Sequence, residues 1–306
     1  MSERQHDGGA PRMRELLRAG PGPVDLAGID PRSTPGVPAD LSGGRAKQWA
    51  RDRLAELGPE LTGRQEMLFA GARPAVGPPI NQRRLLLVLQ AMDCGGKDGA
   101  VKRVAGAMNP LGLRIVAFGP PTEEERRHDF LWRIRRALPE PGYVGVFNRS
   151  HYEDVLVVRV EGLAPEEVWR ARYDEINRFE REVVDDGVAL VKVMLHISRQ
   201  EQLERLTARL DDPTKFWKYN PGDVDARRRW DDYQQAYAEA LSRCDTGHAP
   251  WFVVPADRKW YRDWAVAGLV RETLDGMELS YPPAAFDVEA ERQRLRAQGA
   301  DPDVGR

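Results

Sequence analysis

Asp93-Cys94-Gly95-Gly96-Lys97-Asp98-Gly99 gathers three glycines, a lysine and two carboxylates into one short stretch, a set suited to holding a phosphate. Gly95, Gly96 and Gly99 can adopt positive φ angles, so several main-chain N–H groups can converge on the same oxygens. Lys97 is expected to be exposed and mobile, bringing a positive charge to the anion. A helix starting near Lys97 would add its unpaired N–H groups and the positive end of its dipole. The spacing departs from Gly-x-x-x-x-Gly-Lys-Ser/Thr, because Ala91 stands where that pattern has glycine and Asp98 where it has a hydroxyl. With no hydroxyl after the lysine, a magnesium ion would depend on other oxygens, and Asp93 and Asp98 are nearest in sequence. Taken alone, the stretch is equally compatible with an ordinary strand-to-helix turn. Its flanks favour phosphate, since the apolar run Leu85 to Leu89 precedes it and the helix-like Ala100 to Met108 follows.

The elements that must hold this loop repeat in a βα pattern. Leu113 to Phe118, Tyr143 to Phe147, Val188 to Ile197 and Trp251 to Val254 read as further strands. Helices are expected over 122–138, with Thr122 and Glu125 as a capping box, and over 164–185, 198–210, 224–242 and 258–275. Such alternation indicates an α/β fold with a parallel sheet covered on both faces. His151 to Val160 is ambiguous: its valines favour a strand, and a helix packed under the sheet is equally compatible. Gly44 to Ala72 reads as one or two amphipathic helices. Residues 1–40 read as a disordered tail followed by an arm on the body, 41–283 as the α/β body itself, and 284–306 as a charged tail.

Composition narrows the function. The chain has 306 residues, 41% of them hydrophobic, which suffices for a sizeable core. A net charge of −2 argues against a protein that coats nucleic acid, so any polyanion must meet a local basic cluster. Arg205 to Lys218 and Arg227 to Arg229 are such clusters; the second is expected to be a solvated face. No apolar run is long enough for a membrane helix, and the amino terminus is too polar for a secretory segment, so a cytoplasmic location is expected. The two cysteines, Cys94 and Cys244, have no metal-type spacing, and Cys94 lacks a local base.

Five motifs then occur in order: MDCGGKDG at 92–99, HDFLWR at 128–133, VFNRSHYEDVLVVRV at 146–160, RLDDPTKFWKYNPGDVDARRRWDDY at 209–233, and APWFVVPADRKWYRDW at 249–264. Together they resemble the polyphosphate kinase 2 family, in its class III, over about residues 24–283. The resemblance implies a P-loop kinase-like three-layer sandwich with a central parallel sheet and a helical lid over about 205–230. It implies transfer of the terminal phosphoryl of inorganic polyphosphate to AMP or ADP, giving ADP or ATP, with Mg2+ or, in its place, Mn2+. Homo-oligomers, dimers or tetramers, are implied as well. Carried over residue by residue, Asp93, Lys97, Arg149 and Arg209 are the catalytic candidates. Gly95, Gly96, Lys97, Asp98, Gly99, Lys215 and Lys218 are the phosphate-binding candidates, and Asp93, Asn148 and Glu153 the metal-binding ones. Ala91 and Cys94-Gly95 are small departures from the family's loop.

Several of these residues also carry a reading of their own. Asn148-Arg149 ends a strand, at the crevice edge where open α/β sheets bind ligands, and an arginine there can grip a phosphate with two prongs. Of the neighbouring carboxylates Glu153 and Asp154, only one needs to face the site, and Glu153 is chosen on resemblance. Arg205 and Arg209 share a helix face, and Lys215 and Lys218 follow the Asp211-Asp212-Pro213 break, a plausible lid. Phe216, Trp217, Trp230, Tyr233, Trp251, Trp260 and Trp264 are expected to be mostly core, and His128 and His151 structural. Two other readings fit a phosphate loop with a lid: an ATP-dependent nucleoside or nucleotide kinase, and a non-catalytic phosphate-binding module.

Overall fold

The structure, a computed structural model, describes residues 12–299. Five strands, β1 (Arg84–Gln90), β2 (Leu113–Ala117), β3 (Val144–Asn148), β4 (Val188–His196) and β5 (Trp251–Pro255), form one parallel sheet in the order β2-β3-β1-β4-β5. The helices, in chain order, are α1 (Met13–Leu16), α2 (Gly43–Ala72), α3 (Lys97–Val104), α4 (Trp132–Ala137), α5 (Val157–Val160), α6 (Glu166–Asp185), α7 (Arg199–Leu210), α8 (Gly222–Arg228), α9 (Trp230–Cys244), α10 (Lys259–Asp275) and α11 (Val288–Gly299).

β1 is central, which explains its unbroken apolar sequence. Leu85, Leu87 and Leu89 point into one core layer and Leu86 and Val88 into the other, so neither face of the strand can be polar. The first layer packs against α2, α3 and α10, the second against α4 and α6. In register, Leu89 lies beside Asn148 and Gln90 beside Met194, so the loops that leave β1, β3 and β4 emerge at one sheet edge. The chain turns one way from β1 to β3 and β2, and the other way to β4 and β5. Open sheets of this kind bind ligands at that reversal.

The segment after Arg12 lies on the body as an arm. Met13, Leu17 and Leu26 are buried, and Arg18 bridges antiparallel to Phe252, covering the exposed edge of β5. The tail expected before it falls at 1–11, outside the described residues, as does 300–306. Residues 43–72 form one helix rather than two, with Pro59 inside it.

Two expectations need correction, those for 122–138 and 224–242, and the open reading of 151–160 is settled. The helix expected over 122–138 is a 3-10 turn at Glu125–Arg127 followed by α4. Its capping box exists: Thr122 N donates to Glu125 Oε2 at 2.8 Å, and Glu125 N to Thr122 Oγ1 at 3.2 Å. Asp129 then takes the N–H of Leu131 at 3.0 Å, starting a second helix in competition with the first. Residues 151–160 are helical, a 3-10 turn and α5, because Tyr152, Val155, Leu156 and Val160 are buried together; tertiary packing overrides strand propensity. The helix expected over 224–242 is divided at Arg229 into α8 and α9. Among the described residues no helix is long and apolar enough to cross a membrane.

Candidate active site

The loop leaving β1 departs in detail from what its glycines suggested. Only Gly96, at φ 100°, uses the left-handed region, together with Cys94 at φ 63°. Gly95 is glycine for want of space: a Cβ there would overlap the Ala91 Cβ and sit 2.8 Å from the Met92 carbonyl oxygen. A Cβ on Gly99 would come within 2.7 Å of Arg262 Nη2, and one on Gly96 would overlap Nη1 of the same guanidinium. All three glycines therefore serve close approach, and Arg262 on α10 occupies the room left by Gly96 and Gly99.

Lys97 is not exposed. Only 8% of its surface is accessible, and its Nζ curls back to donate to the Ala91 carbonyl oxygen at 2.8 Å. The loop carbonyls hold the ammonium where its length would otherwise let it roam. Burial pushes its pKa down, against the pull of Asp93. α3 begins at this residue, so its first N–H groups open on the same space as Asp98.

Arg149 follows β3 with φ 65°, a strained conformation for a non-glycine residue. Its Nη2 meets Asp93 Oδ1 at 2.6 Å and its Nη1 meets Glu153 Oε2 at 3.4 Å. Burial would lower its pKa, but Glu153 and Asp93 raise it above the usual arginine value. Asn148 Nδ2 donates to Asp98 Oδ1 at 2.8 Å, joining the end of β3 to the start of α3. The two adjacent carboxylates separate: Glu153 turns to Arg149, whereas Asp154 pairs with Arg172 at 3.2 Å. Burial pushes Asp154 up to about 6, against Arg172.

No group of three or more His, Cys, Asp or Glu side chains forms a ready metal cage among the described residues. Asp93, Asn148 and Glu153 are brought near one another through Arg149 and Asp98, not as a closed ligand set. That donor chemistry suits magnesium, which commonly takes one or two carboxylates and completes its shell with substrate phosphates and water. Asp93 and Asp98, at the two ends of the loop, both line the cleft.

Arg205 also lies elsewhere than expected. It is buried in the floor, donating to the carbonyl oxygens of Cys94 at 2.8 Å and Ala256 at 2.6 Å, and pairing with Glu201. It fastens the phosphate loop to the exit of β5. Arg209, one turn later, faces the cleft and donates to the Lys218 carbonyl oxygen at 2.7 Å and to Asp223 Oδ2 at 3.3 Å. Lys215 pairs with Asp212 at 2.7 Å, and Lys218 lies 4.8 Å over the Trp217 ring, both on a 3-10 helix, Pro213–Lys218. Asp223 is pushed up to about 6 by burial and by the nearby Asp93, against Arg209.

Together these elements enclose a cleft of about 740 Å³ lined by eight lysines and arginines and five carboxylates. Two of the cations, Lys259 and Arg262, were not singled out from sequence, although both fall in the fifth motif just past β5. Their position at a strand's carboxyl end was the available signal. Arg262 is 4% exposed and bound to Asp263, while burial and the neighbouring Arg205 lower the pKa of Lys259. Among the aromatics, Trp230, Tyr233, Trp251 and Trp264 are core as expected, whereas Phe216 and Trp217 are exposed on the 3-10 helix. His151 is buried against Glu180, and His128 stacks on Trp132. Arg227 and Arg229 are less solvated than expected: Arg227 donates to the Arg199 carbonyl oxygen and Arg229 pairs with Glu161.

A parallel sheet in this order, with a glycine-lysine loop at its reversal and a cationic cleft above it, defines a protein of the P-loop kinase type. The chain matches Polyphosphate kinase 2 (PPK2) over residues 78–282. It is 46% identical over 261 residues to an AMP/ADP-polyphosphate phosphotransferase of Meiothermus ruber, covering 85% of this chain and 92% of that protein. It is 39% identical to an ADP-polyphosphate phosphotransferase of Rhodopseudomonas palustris, covering 81% and 84%. The crystal structure of polyphosphate kinase 2 from Arthrobacter aurescens superposes with a TM-score of 0.88 at 48% identity, covering 94% of this chain and 98% of that one. The chain belongs to the polyphosphate kinase 2 family.

Proposed function

We propose that this chain transfers the terminal phosphoryl group of inorganic polyphosphate to AMP and ADP, producing ADP and ATP with Mg2+. The observation that carries this reading is the cleft, where eight cations from the phosphate loop, the end of β3, α7, α10 and the segment after α7 outnumber five carboxylates in a chain of net charge −2. One phosphate would need few of them; a chain of phosphates uses many. The loop N–H groups, the start of α3 and Lys97 hold the phosphoryl group in flight. Arg149, fixed by Asp93 and Glu153, spans the gap to the β3 side. Arg209, Lys215 and Lys218 form a lid that closes over the donor chain and excludes water. Asp93 and Asp98 are the carboxylates best placed for Mg2+, with Glu153 acting through Arg149. The ion would neutralise phosphate charge as the bond to the leaving phosphate breaks.

The experiment supplies long-chain polyphosphate, Mg2+ and either AMP or ADP to the purified protein, with no nucleoside triphosphate present. The expected outcome is ATP from ADP, and ADP followed by ATP from AMP. An enzyme that phosphorylates nucleotides only when ATP is the donor would overturn the reading, as would saturable binding without turnover. The resemblance also supports a homo-oligomer, a dimer or tetramer, which light scattering on the purified protein would test.

A further inference from the structure

The loop that carries Arg149 is held by a buried polar cluster that is no part of the cleft. Lys192 on β4 and Glu180 on α6 are both wholly buried and meet at 2.6 Å. Tyr152 joins them: its hydroxyl donates to Glu180 Oε1 at 2.8 Å and accepts from Lys192 Nζ at 2.9 Å. His151 Nε2 lies 3.2 Å from the same Glu180 oxygen, and Lys192 also donates to the Cys244 carbonyl oxygen at 2.7 Å. On the other flank, Gln90 at the end of β1 donates to Ser150 Oγ at 3.0 Å, and Arg149 N donates to the Leu89 carbonyl oxygen at 3.0 Å.

Two physical arguments suggest that this cluster does more than fill the core. An ion pair buried among apolar residues seldom stabilises a fold better than a well-packed apolar set of equal volume, so its presence calls for a role in specifying geometry. A non-glycine residue at φ 65° persists only when its surroundings over-determine it. Ser150, His151 and Tyr152 directly follow Arg149, and their buried partners lie on three elements: Gln90 on β1 for Ser150, Glu180 on α6 for both His151 and Tyr152, and Lys192 on β4 for Tyr152. Three anchors on three elements can fix a strained residue that one anchor could not.

We propose that Lys192, Glu180 and Tyr152, with Gln90 on the opposite flank, are positioning residues that clamp the loop after β3 and so aim the Arg149 guanidinium between Asp93 and Glu153. None of them reaches the cleft; they act through Arg149. The proposal rests on the phosphoryl-transfer reading for its kinetic form, and its test is arranged so that the two can fail separately.

The test is a double-mutant cycle of Tyr152→Phe with Arg149→Lys, measured as kcat and as KM for polyphosphate. Tyr152→Phe keeps the ring and removes the hydroxyl that binds both Glu180 and Lys192. It is expected to lower kcat about tenfold by misplacing Arg149, with KM changed less than about twofold. In the Arg149→Lys background the same substitution should cost almost nothing further, because the group it aims is gone. Equal losses in both backgrounds, or an unchanged kcat in Tyr152→Phe, would overturn the clamp. Should Tyr152→Phe fail to fold, Gln90→Met severs the other anchor and must show the same lack of additivity with Arg149→Lys. If the wild-type protein shows no turnover, the proposed reaction fails. The cycle is then read in the affinity for inorganic triphosphate by calorimetry, where additive effects would still overturn the clamp.

Discussion

The floor of the cleft and the segment that overhangs it use the same residue types in opposite physical states. On the floor, Lys97, Arg205 and Arg262 are each under one-tenth exposed, and Arg149 is held by two carboxylates. Their charges are removed from bulk water and tied to backbone or acid partners before any ligand arrives. Overhead, the Lys215 side chain is half exposed, Trp217 is 78% exposed, and the Lys215 ion pair is local, to Asp212 three residues earlier. A fixed, desolvated charge acts strongly on charge developing in a transition state and costs no reorganisation when the reaction occurs. A solvated charge on a short 3-10 helix must be ordered first, and salt screens it. The floor should therefore govern turnover and the lid should govern capture of the donor chain.

The sharpest way to break this contrast is Lys97→Ala. Loss of a preorganised cation beside the transferring phosphoryl should lower kcat at least about a hundredfold. Because Lys97 is buried and bonded to the Ala91 carbonyl, the variant should also melt measurably lower than wild type, unlike a surface substitution. A variant with near wild-type kcat would remove Lys97 from the floor's chemistry.

A smaller effect tests the carboxylates of the floor. Asp93→Asn and Glu153→Gln should each raise the Mg2+ concentration that gives half-maximal rate. Asp93→Asn should have the larger effect, because Asp93 lines the main cleft whereas Glu153 reaches it through Arg149. Magnesium titrations of the two variants that overlay the wild-type curve would show that phosphates and water alone hold the ion.

The lid should answer differently. Lys215→Ala combined with Lys218→Ala is expected to raise KM for long polyphosphate a few fold, leave KM for ADP and kcat nearly unchanged, and flatten the dependence of the polyphosphate KM on salt. Equal changes in both KM values, with the salt dependence intact, would move the donor track away from the lid.

How much of this contrast was legible beforehand depends on the distance over which each residue finds its partner. The central strand and its loop could be read directly, since an apolar run covered on both faces and a glycine-lysine turn are local signals. The strand positions, the capping box at Thr122 and the cap at Ser198, whose Oγ accepts from Glu201 N, were legible for the same reason. The place of Arg205 in the floor is not legible, because its partner, the Cys94 carbonyl, lies 111 residues earlier, and helix periodicity reports only neighbours one turn away. Lys97 reads as exposed in the sequence because its burial depends on backbone carbonyls turning inward, which side-chain pattern does not encode. Arg262 carries no local signal because the space that admits it is an absence of side chains at Gly96 and Gly99. The buried Lys192 and Glu180 looked like ordinary members of an otherwise apolar strand and an amphipathic helix.

The smallest expected effect concerns the joint between floor and lid, where Arg209 meets Asp223. Asp223 is buried at the cleft wall, and both this burial and the nearby Asp93 push its carboxyl up to about 6, with Arg209 opposing. The unfolded chain releases the same proton near pH 4. Between these values the folded protein keeps a proton that the unfolded chain has lost, so stability falls as pH rises through this window and is level beyond it. Asp223→Asn removes the titrating group while keeping the shape of the side chain. The thermal midpoint of wild type, relative to this variant, should therefore decline from about pH 4 to about pH 6 and then stay constant. Ionised Asp223 holds the lid residue Arg209 to the cleft wall, so the variant should also release Arg209 at neutral pH and shift KM for polyphosphate more than kcat. A constant difference in midpoint from pH 4 to 8 would mean that Asp223 ionises normally in the folded protein, and the floor and lid would then meet without a titrating contact between them.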